Sequence, residues 1–576
     1  MATLQFICAN WDLDSTNCKK VGGYSCKNCY LVVYCGPNCQ KSHWDLHKID
    51  CKSPLGKEKW NPDWFLENRK PAFVREGLGE QFGGKKYLWG NMPALDVLQL
   101  GSNEGDDYGG QLHLLFAAPE TNRKYYAVAS GDLRNVVKTI AQIPSSYNQS
   151  VDVTMNDRDL DVVARNAIML LIALVVDNID EAIDCMIHVW YSALIRRSDL
   201  NILQQHIRPL IESVCEKIKN KEPGGLLGKT WTFGQLSLRL VLEKSSWDSL
   251  LFFINIPEGL TAERASQIRT AVTLAKCRKD YRDRHLLFQS PSHRIARNRF
   301  CEDGLLLPFG SRRYDFREPN PTFFQSTDTW PMKDNADPLY GWSSKEVEDS
   351  SSGPASADIY GKLFYHVRAV LRAFLLRLSG LQVSFRLFQV DASDLPNHLE
   401  DGSFSRIEVS NIADGGYLGL PRTIGLMMPL LQDPLINPHA TLITLFMNVV
   451  DENITDQDRM ADATPHSPTT KRLLKYLPLK GMAPINVSDP KVIKLSFARD
   501  NVATYDHIFD RFLKDFPFFE AAHLLGPAIK EKHTVIEKWP FRLKLRPGQA
   551  GAQEEFDRLL SGGVSGKERY VEWKRI

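Results

Sequence analysis

The chain has 576 residues, a formal net charge of +2, 43% hydrophobic residues and 24% charged residues. This length accommodates two to four domains with a real apolar core. The near-zero charge argues against binding to nucleic acid or anionic membrane through overall electrostatics. Of the eleven cysteines, seven stand in the first 51 residues. A local cysteine cluster in a long chain favours metal binding in a reducing compartment over a disulfide scaffold.

The amino terminus has no basic start and no sustained apolar region, so we predict no secretory signal peptide. The longest apolar run, Ala167 to Val176, is about half the roughly 20 residues that span a bilayer. It predicts a buried core helix. We therefore expect the protein in the cytoplasm, the nucleus or both, without a membrane partner.

Eight side chains near the amino terminus have the spacing of zinc ligands. In chain order they are Cys8, Cys18, Cys26, Cys29, Cys35, Cys39, His47 and Cys51. A two-residue gap suits a tight knuckle turn, and a three-residue gap places both ligands one helical turn apart. Eight ligands suffice for two tetrahedral sites. Because so small a segment buries little apolar surface, we expect the metals to supply most of its folding free energy.

The same segment resembles a MYND-type zinc finger. The matching residues are Tyr34-Cys35, Cys39-Gln40, His43-Trp44, His47-Lys48 and Cys51. The resemblance implies a cross-braced fold, in which Cys8, Cys18, Cys35 and Cys39 hold one zinc and Cys26, Cys29, His47 and Cys51 hold the other. The family usually has two residues between its first two cysteines, whereas nine separate Cys8 from Cys18. A free thiol is the alternative for Cys8, and His43 either competes as a ligand or packs beside Trp44.

Charge and resemblance both point to a protein partner. Residues 1–60 contain eight lysines, no arginine and five acidic residues, and ligating thiolates bring the module close to neutrality, which disfavours direct nucleic-acid binding. MYND fingers generally bind short proline-containing peptides. The resemblance therefore implies Gln40 and Trp44 as contact residues, with core packing as the alternative for Trp44. Within the chain, Pro434-Leu-Ile-Asn-Pro438 looks like such a ligand, and an ordinary loop is its alternative.

The rest of the chain alternates short apolar runs with helical patterns. We predict strands at 112–118, 125–129, 151–155, 383–390, 406–411 and 535–545, and helices at 133–143, 160–176, 182–196, 200–221 and 359–379. This alternation predicts an α/β fold with a Rossmann-like parallel sheet. We predict a zinc finger at 1–53, a partly docked linker at 54–92, a Rossmann-like domain at 93–325, a polar insert, loop or disordered, at 326–358, and a C-terminal α/β region at 359–576.

One turn in this body has the composition of a cofactor site. Gly131 and Asp132 follow a predicted strand and precede a helix, whose first amides can hold an anion. Asp157 ends the next strand, where nucleotide-type folds place the carboxylate that binds ribose hydroxyls. Only one glycine stands in the turn, so helix capping by Asp132 is the structural alternative.

Several stretches of the body also resemble known proteins. They are Pro93 to Leu100, Ser130 to Lys138, Asn156 to Asp159, Val163 to Asn166 and Arg406 to Asp414. They look like a domain of unknown function that follows a MYND finger in many fungal proteins, and a related domain opens the dynein axonemal assembly factors. The layout is also similar to class I methyltransferases, which bind S-adenosylmethionine between the glycine turn and the second strand's carboxylate.

We therefore hypothesise an adaptor that binds two zinc ions and a partner peptide. Its body would be non-catalytic, and we assign no catalytic residue. Two alternatives remain open at this stage: an S-adenosylmethionine-dependent methyltransferase, and a transcriptional regulator that acts through partner recruitment.

Overall fold

The structure is a computed structural model that describes residues 6–11, 17–76, 81–105, 108–117, 131–479, 486–515 and 526–576. The strand predicted at 125–129 lies outside these ranges. The described strands are β1 (Tyr24–Ser25), β2 (Val33–Tyr34), β3 (Leu112–Ala117), β4 (Val151–Asn156), β5 (Leu194–Arg196), β6 (Leu226–Phe233), β7 (Leu236–Glu243), β8 (Phe316–Pro319), β9 (Val383–Phe388), β10 (Arg406–Glu408), β11 (Thr441–Phe446), β12 (Pro527–Ile529) and β13 (Arg569–Arg575).

Helices connect and cover these strands. The α-helices of the described residues are Pro37–Ser42, Trp44–Cys51, Asp63–Leu66, Ala72–Glu76, Leu100–Asn103, Arg134–Gln142, Leu160–Val175, Ile179–Tyr191, Arg197–Ile202, Arg208–Ile218, Lys244–Ser249, Ala262–Thr273, Lys279–Leu286, Pro291–Asp303, Ser344–Asp349, Ile359–Leu378, Leu420–Met427, Val449–Asn453, Asp456–Ala463, Pro468–Tyr476, Pro490–Val502, Asp506–Asp515 and Ala552–Ser561. A π-helical turn lies at Leu203–Ile207, and 3₁₀ turns lie at Pro54–Gly56, Leu250–Phe253, Lys276–Arg278, Pro338–Gly341 and Leu395–His398.

A nine-stranded sheet organises the body, in the order β12-β13-β11-β10-β3-β4-β9-β7-β6. The six strands from β11 to β7 are mutually parallel, and β13 and β6 join their neighbours antiparallel. β11 is buried along its whole length. Parallel strands with this burial need helices on both faces of the sheet, which is the Rossmann-like architecture that the alternation predicts.

The strand order reverses at β3. The chain places β4 and β9 on one side of β3, and β10 and β11 on the other side. In such sheets, ligands bind at the carboxyl ends of the strands beside this switch point. Ala117, Asn156 and Glu408 end the three strands concerned. The predicted core helix 160–176 is confirmed as Leu160–Val175 and packs against the sheet.

Two sequence predictions about elements were wrong. The segment predicted as a strand at 535–545 is irregular, because the carboxylate of Glu572 accepts the amide protons of Thr534, Val535 and Ile536 that a strand would give to a neighbour. The helix predicted at 182–196 ends at Tyr191, and β5 follows it. The sequence patterns also missed β6, β7 and β13.

The predicted linker and polar insert contribute to the core of the molecule. Trp64 and Trp89 of the linker are buried, as are Trp330 and Trp342 of the insert. Tryptophan removes a large apolar area from water, which favours docking over disorder in otherwise polar stretches. Strands that precede the insert and strands that follow it belong to the same nine-stranded sheet. The domain boundaries themselves stay predictions. None of the helices in the described ranges combines the length and apolar character that crossing a membrane requires.

Candidate metal centre and sheet edge

The predicted zinc ligands come together in two groups of four. One group contains Cys8, Cys18, Cys35 and Cys39, and the other contains Cys26, Cys29, His47 and Cys51. Within each group, one ligand atom from every residue lies within 4.8 Å of all the others. The pairing alternates along the chain, since the first, second, fifth and sixth ligands form one group, which is the cross-braced arrangement.

The distances between ligand atoms fit tetrahedral zinc. Two sulfurs bound to one zinc at about 2.3 Å lie about 3.8 Å apart in a tetrahedron. The Sγ atoms of Cys18 and Cys35 are 3.7 Å apart, and so are those of Cys26 and Cys51. In the second group, Nε2 of His47 lies 3.5 Å from Sγ of Cys29. The two clusters therefore fit two zinc ions.

A hairpin and two short helices position these ligands. β1 and β2 pair antiparallel with Tyr24 opposite Tyr34, so that the knuckle with Cys26 and Cys29 forms the turn between them. Cys39 lies on the helix Pro37–Ser42, and the next helix, Trp44–Cys51, points His47 and Cys51 inward as its buried residues. A spacing of four residues places these two ligands on one helical face.

Hydrogen bonds to sulfur support the second group. Asn28 donates its side-chain amide to Sγ of Cys51 at 3.2 Å. A hydrogen bond between Cys26 and Cys29 lowers the pKa of the Cys26 thiol, and the same bond together with burial raises the pKa of Cys29. Zinc replaces such shared protons when it binds, because ligating cysteines are thiolates. Sequence spacing gave no sign of Asn28, since an amide beside a knuckle is common in loops.

His43 has a role outside both clusters. Its Nδ1 lies 2.9 Å from the hydroxyl oxygen of Tyr34, and its ring stacks on His47 with 6.0 Å between centroids. The ring of Trp44 meets His47 edge-on at 6.0 Å. His43 thus packs on the ligand His47 and belongs to neither group of four.

The described part of the amino-terminal module, residues 6–53, is docked on the body. Trp11 donates its indole N–H to the carbonyl of Gly310 at 2.7 Å. The hydroxyl of Ser292 donates to the carbonyl of Cys29 at 2.8 Å, and Arg299 pairs with Asp50. Just beyond the module, Arg294 donates to the carbonyls of Leu55 and Lys57 at 2.8 and 2.6 Å.

The residues predicted for a cofactor lie at the carboxyl edge of the sheet. Gly131 and Asp132 line a cavity of about 20 Å³, which they share with Asn135, Asn156, Asn166 and Glu408 among other residues. This volume holds about one water molecule. The Asp132 carboxylate accepts from the amide of Gly90 at 3.1 Å and from Arg134 at 2.6 Å. The helix that follows has no side-chain cap, so Asp132 links the turn to the segment around Gly90 rather than capping the helix.

Two buried carboxyls stand at the same edge. Asp157 accepts from the amide of Asp159 at 2.8 Å, while its Oδ2 finds no hydrogen-bond partner within the described ranges. Burial raises the pKa of Asp157 and of Glu408 to about 7. Glu408 lines the cavity and Asp157 does not. Sequence analysis missed Glu408, because the strand predicted at 406–411 placed this residue in the strand interior, whereas the observed strand ends at it.

Family profiles match two segments of the chain. The profile described as MYND finger matches residues 15–51, and the profile described as Domain of unknown function (DUF4470) matches residues 88–195. The amino-terminal module is a MYND finger. A domain of unknown function follows it, as the resemblance implied. The finger profile begins after Cys8, yet the structure places Cys8 in the first cluster. Zinc binding through the MYND finger supports a protein-interaction role.

Curated relatives match short parts of the chain. The histone-lysine N-methyltransferase ASHR1 of Arabidopsis thaliana is 29% identical over 120 residues, which is 21% of this chain and 22% of that protein. The N-lysine methyltransferases SMYD2 of Mus musculus and SMYD2-B of Danio rerio are 46% and 38% identical over 46 and 45 residues, each 8% of this chain and 10% of the relative. The chain thus spans only a fifth to a tenth of their lengths. No solved structure matches.

Proposed function

We propose that this protein is a zinc-dependent adaptor whose MYND finger captures a proline-containing segment of a partner protein. The Rossmann-like body then acts as a non-catalytic scaffold that holds the finger in place. Peptide capture is inferred from the outward surface of the docked finger. The non-catalytic role of the body is inferred from the small cavity at the carboxyl edge of the sheet.

The observation that carries the proposal is the outward face of the helix Trp44–Cys51. Leu46 is 50% exposed and Ile49 is 73% exposed, and residues three apart share one helical face. Trp44 is half-buried, with the ammonium of Lys52 5.7 Å from its ring centroid. Trp44 stands two residues before Leu46 and therefore lies on another side of the helix. Exposed apolar side chains and a partly accessible aromatic ring are both features of surfaces that bind extended peptides. Gln40, also half-buried, supplies an amide for the peptide backbone.

A fluorescent peptide with the sequence of residues 431–440 is the probe for this surface. This stretch contains Pro434 and Pro438 around Leu435 and Ile436, which are 96% and 76% exposed in the chain. Fluorescence anisotropy with the full-length zinc-loaded protein should give saturable binding. We expect Trp44→Ala to raise Kd at least tenfold while retaining two zinc ions, since aromatic anchors dominate such interfaces.

The matched control is Phe252→Ala, which removes an aromatic side chain that is 61% exposed outside the finger. This variant should bind the peptide as the wild type does. Equal affinity for the wild type and Trp44→Ala would refute the role of the finger. Binding that survives replacement of both prolines by alanine would refute only the proline preference and leave peptide capture standing.

The second candidate is an S-adenosylmethionine-dependent methyltransferase. The strand order supports it, because the carboxyl ends of β3, β4 and β10 meet beside Gly131 at the switch point. The cavity of about 20 Å³ stands against it, since small-molecule sites are usually some hundreds of Å³. Calorimetry with S-adenosylmethionine, repeated on Asp157→Ala, separates the two candidates. Binding that Asp157→Ala abolishes favours the enzyme, and absence of heat removes it.

A further inference from the structure

The nine-stranded sheet has two edge strands that differ in how well they are protected. At one edge, β12 has only three residues and begins with Pro527. A short edge strand with a proline is a common defence against pairing with a further chain. At the other edge, β6 has eight residues, no proline and one charged residue, Lys229, and it pairs with β7 without a bulge. The edge at β6 therefore lacks the usual protection.

The backbone of β6 has hydrogen-bonding groups that point away from the sheet. A two-residue turn joins β6 to β7, with Gly234 at a φ of 61° and Phe233 paired with Leu236 across it. Such a turn bonds these two paired residues to each other, and pairs farther along the strands alternate between bonded and non-bonded. Within the described ranges, no strand pairs with the outer side of β6. The outward amides and carbonyls belong to four exposed residues, Leu226, Gly228, Thr230 and Thr232.

An arginine of β7 reaches across β6 at this edge. Arg239 pairs with Thr230 in the ladder, and its Nη1 lies 3.4 Å from the hydroxyl oxygen of Thr230. Its guanidinium also lies over Gly228, since a Cβ added to this glycine would be 2.8 Å from Nη2. A glycine within a strand often marks the close approach of another group. Because Gly228 has no side chain, the guanidinium can lie above the edge strand itself.

The positive charge at this edge is not neutralised by the strands around it. Arg239 faces Arg386 of β9 in the ladder, and both residues are exposed. In the part of the chain that the structure describes, neither guanidinium forms an ion pair with a carboxylate. Strands β6, β7, β9 and β4 contain two acidic residues: Asp152, which lies 3.3 Å from Nδ1 of His113, and Glu243, which is about 13 Å along β7 from Arg239. Adjacent like charges repel each other, so this edge favours an incoming negative charge.

We propose that β6 is a docking edge for an extended segment of a partner protein that carries acidic side chains. The segment extends the sheet by one strand and exchanges backbone hydrogen bonds with the outward groups of β6. Alternate side chains of an added strand project on the face of Arg239, where a carboxylate pairs with the guanidinium fork. This edge belongs to the body and is independent of the peptide surface of the MYND finger.

Fluorescence anisotropy with the full-length zinc-loaded protein tests the proposal. The probe is a labelled peptide in which glutamate alternates with valine, and its counterpart has lysine in place of glutamate. We expect the glutamate peptide to bind about tenfold more tightly than the lysine peptide, because it places carboxylates beside Arg239. Equal affinity of the two peptides, or no saturable binding of the glutamate peptide, overturns the proposal.

Variants at the edge separate backbone pairing from charge. Thr230→Pro removes one outward amide and should weaken binding of the glutamate peptide about tenfold, whereas Thr230→Val keeps the amide and should bind as the wild type does. Arg239→Glu should reverse the preference between the two peptides. Arg422→Glu is its matched control, because Arg422 is an exposed arginine on the helix Leu420–Met427, outside this edge.

Each variant also has an outcome that contradicts the proposal. Unchanged binding in Thr230→Pro, or the same loss in Arg422→Glu as in Arg239→Glu, refutes the site. If Thr230→Pro does not fold, the reversal of preference in Arg239→Glu still decides. Trp44→Ala should keep full affinity for the glutamate peptide, and a loss there would assign the binding to the finger instead. Sedimentation velocity of the protein alone tests a different occupant: a dimer that Thr230→Pro abolishes would mean that β6 pairs with a second copy, which overturns the proposal.

Discussion

Replacing Asp157 by asparagine should stabilise the protein at alkaline pH and change little in strong acid. The residue is 2% exposed, and burial raises the pKa of its carboxyl from 3.8 to about 7. The folded state therefore favours the protonated form, whereas the unfolded chain ionises this group near pH 4. At a pH between the unfolded-state pKa of 3.8 and the folded-state pKa of about 7, the folded protein binds more protons than the unfolded chain. This group consequently lowers stability as the pH rises.

The size of the effect follows from the two pKa values. A rise from 3.8 to about 7 corresponds to about 4 kcal/mol of destabilisation once the pH exceeds the folded-state value, since one pKa unit is about 1.4 kcal/mol. Between pH 5 and pH 8, the advantage of Asp157→Asn should grow by about 2–3 kcal/mol. The asparagine oxygen can still accept the amide proton of Asp159, which now lies 2.8 Å from the carboxylate.

Urea unfolding at pH 5, 6.5 and 8 measures this difference on the wild type and the variant. Asp401→Asn is the matched control, because Asp401 is exposed and its replacement should not change stability with pH. A stability difference that is the same at all three pH values would refute the idea that Asp157 is an ionisable group held in an unfavourable environment. Loss of S-adenosylmethionine binding in this variant would instead point to a ligand role.

Three further changes test the metal sites, the packing of Gly563 in the body and the docking of the finger. Cys8→Ser should lower the zinc content from two ions per chain to one, whereas Cys277→Ser, at an exposed cysteine outside both clusters, should retain two by elemental mass spectrometry. Gly563→Ala should lower the free energy of unfolding by about 1–3 kcal/mol through overpacking, in contrast to Gly562→Ala, where an added Cβ meets its nearest atoms at 3.4 Å. Excess chelator should lower the thermal midpoint of the body as well as the MYND finger, and a body transition that does not move would contradict docking.

The metal ligands could be predicted because their chemistry is local. The spacing from Cys26 to Cys29 and from His47 to Cys51 predicts that the two members of each pair share a metal. Which pairs combine into one site was implied by the resemblance to MYND fingers. The parallel strands were likewise predictable, since β3, β4 and β9 are short apolar runs bounded by turns. Both signals lie within about ten residues of sequence.

The missed features depend on partners far away in the chain. β13 alternates charged and aromatic residues that suggest an exposed segment, yet Trp573 faces Leu442 across the ladder and is buried. The carboxylate of Glu572 in the same strand accepts hydrogen bonds from the backbone amides of residues 534–536, which are then not available to pair with a neighbouring strand. No window of sequence around 535–545 contains that carboxylate.

Docking of the MYND finger ties its metal chemistry to the body. The knuckle that holds Cys26 and Cys29 also presents the Cys29 carbonyl to Ser292 and the Tyr30 carbonyl to the amide of Ala357, at 2.8 and 3.1 Å. Zinc fixes the backbone of this knuckle, since two of its ligands flank the turn. The body therefore recognises a conformation that the metal maintains. If a partner binds the outward helix of the finger, as proposed, it would be held at a fixed position relative to the sheet, which a flexibly tethered finger would not provide.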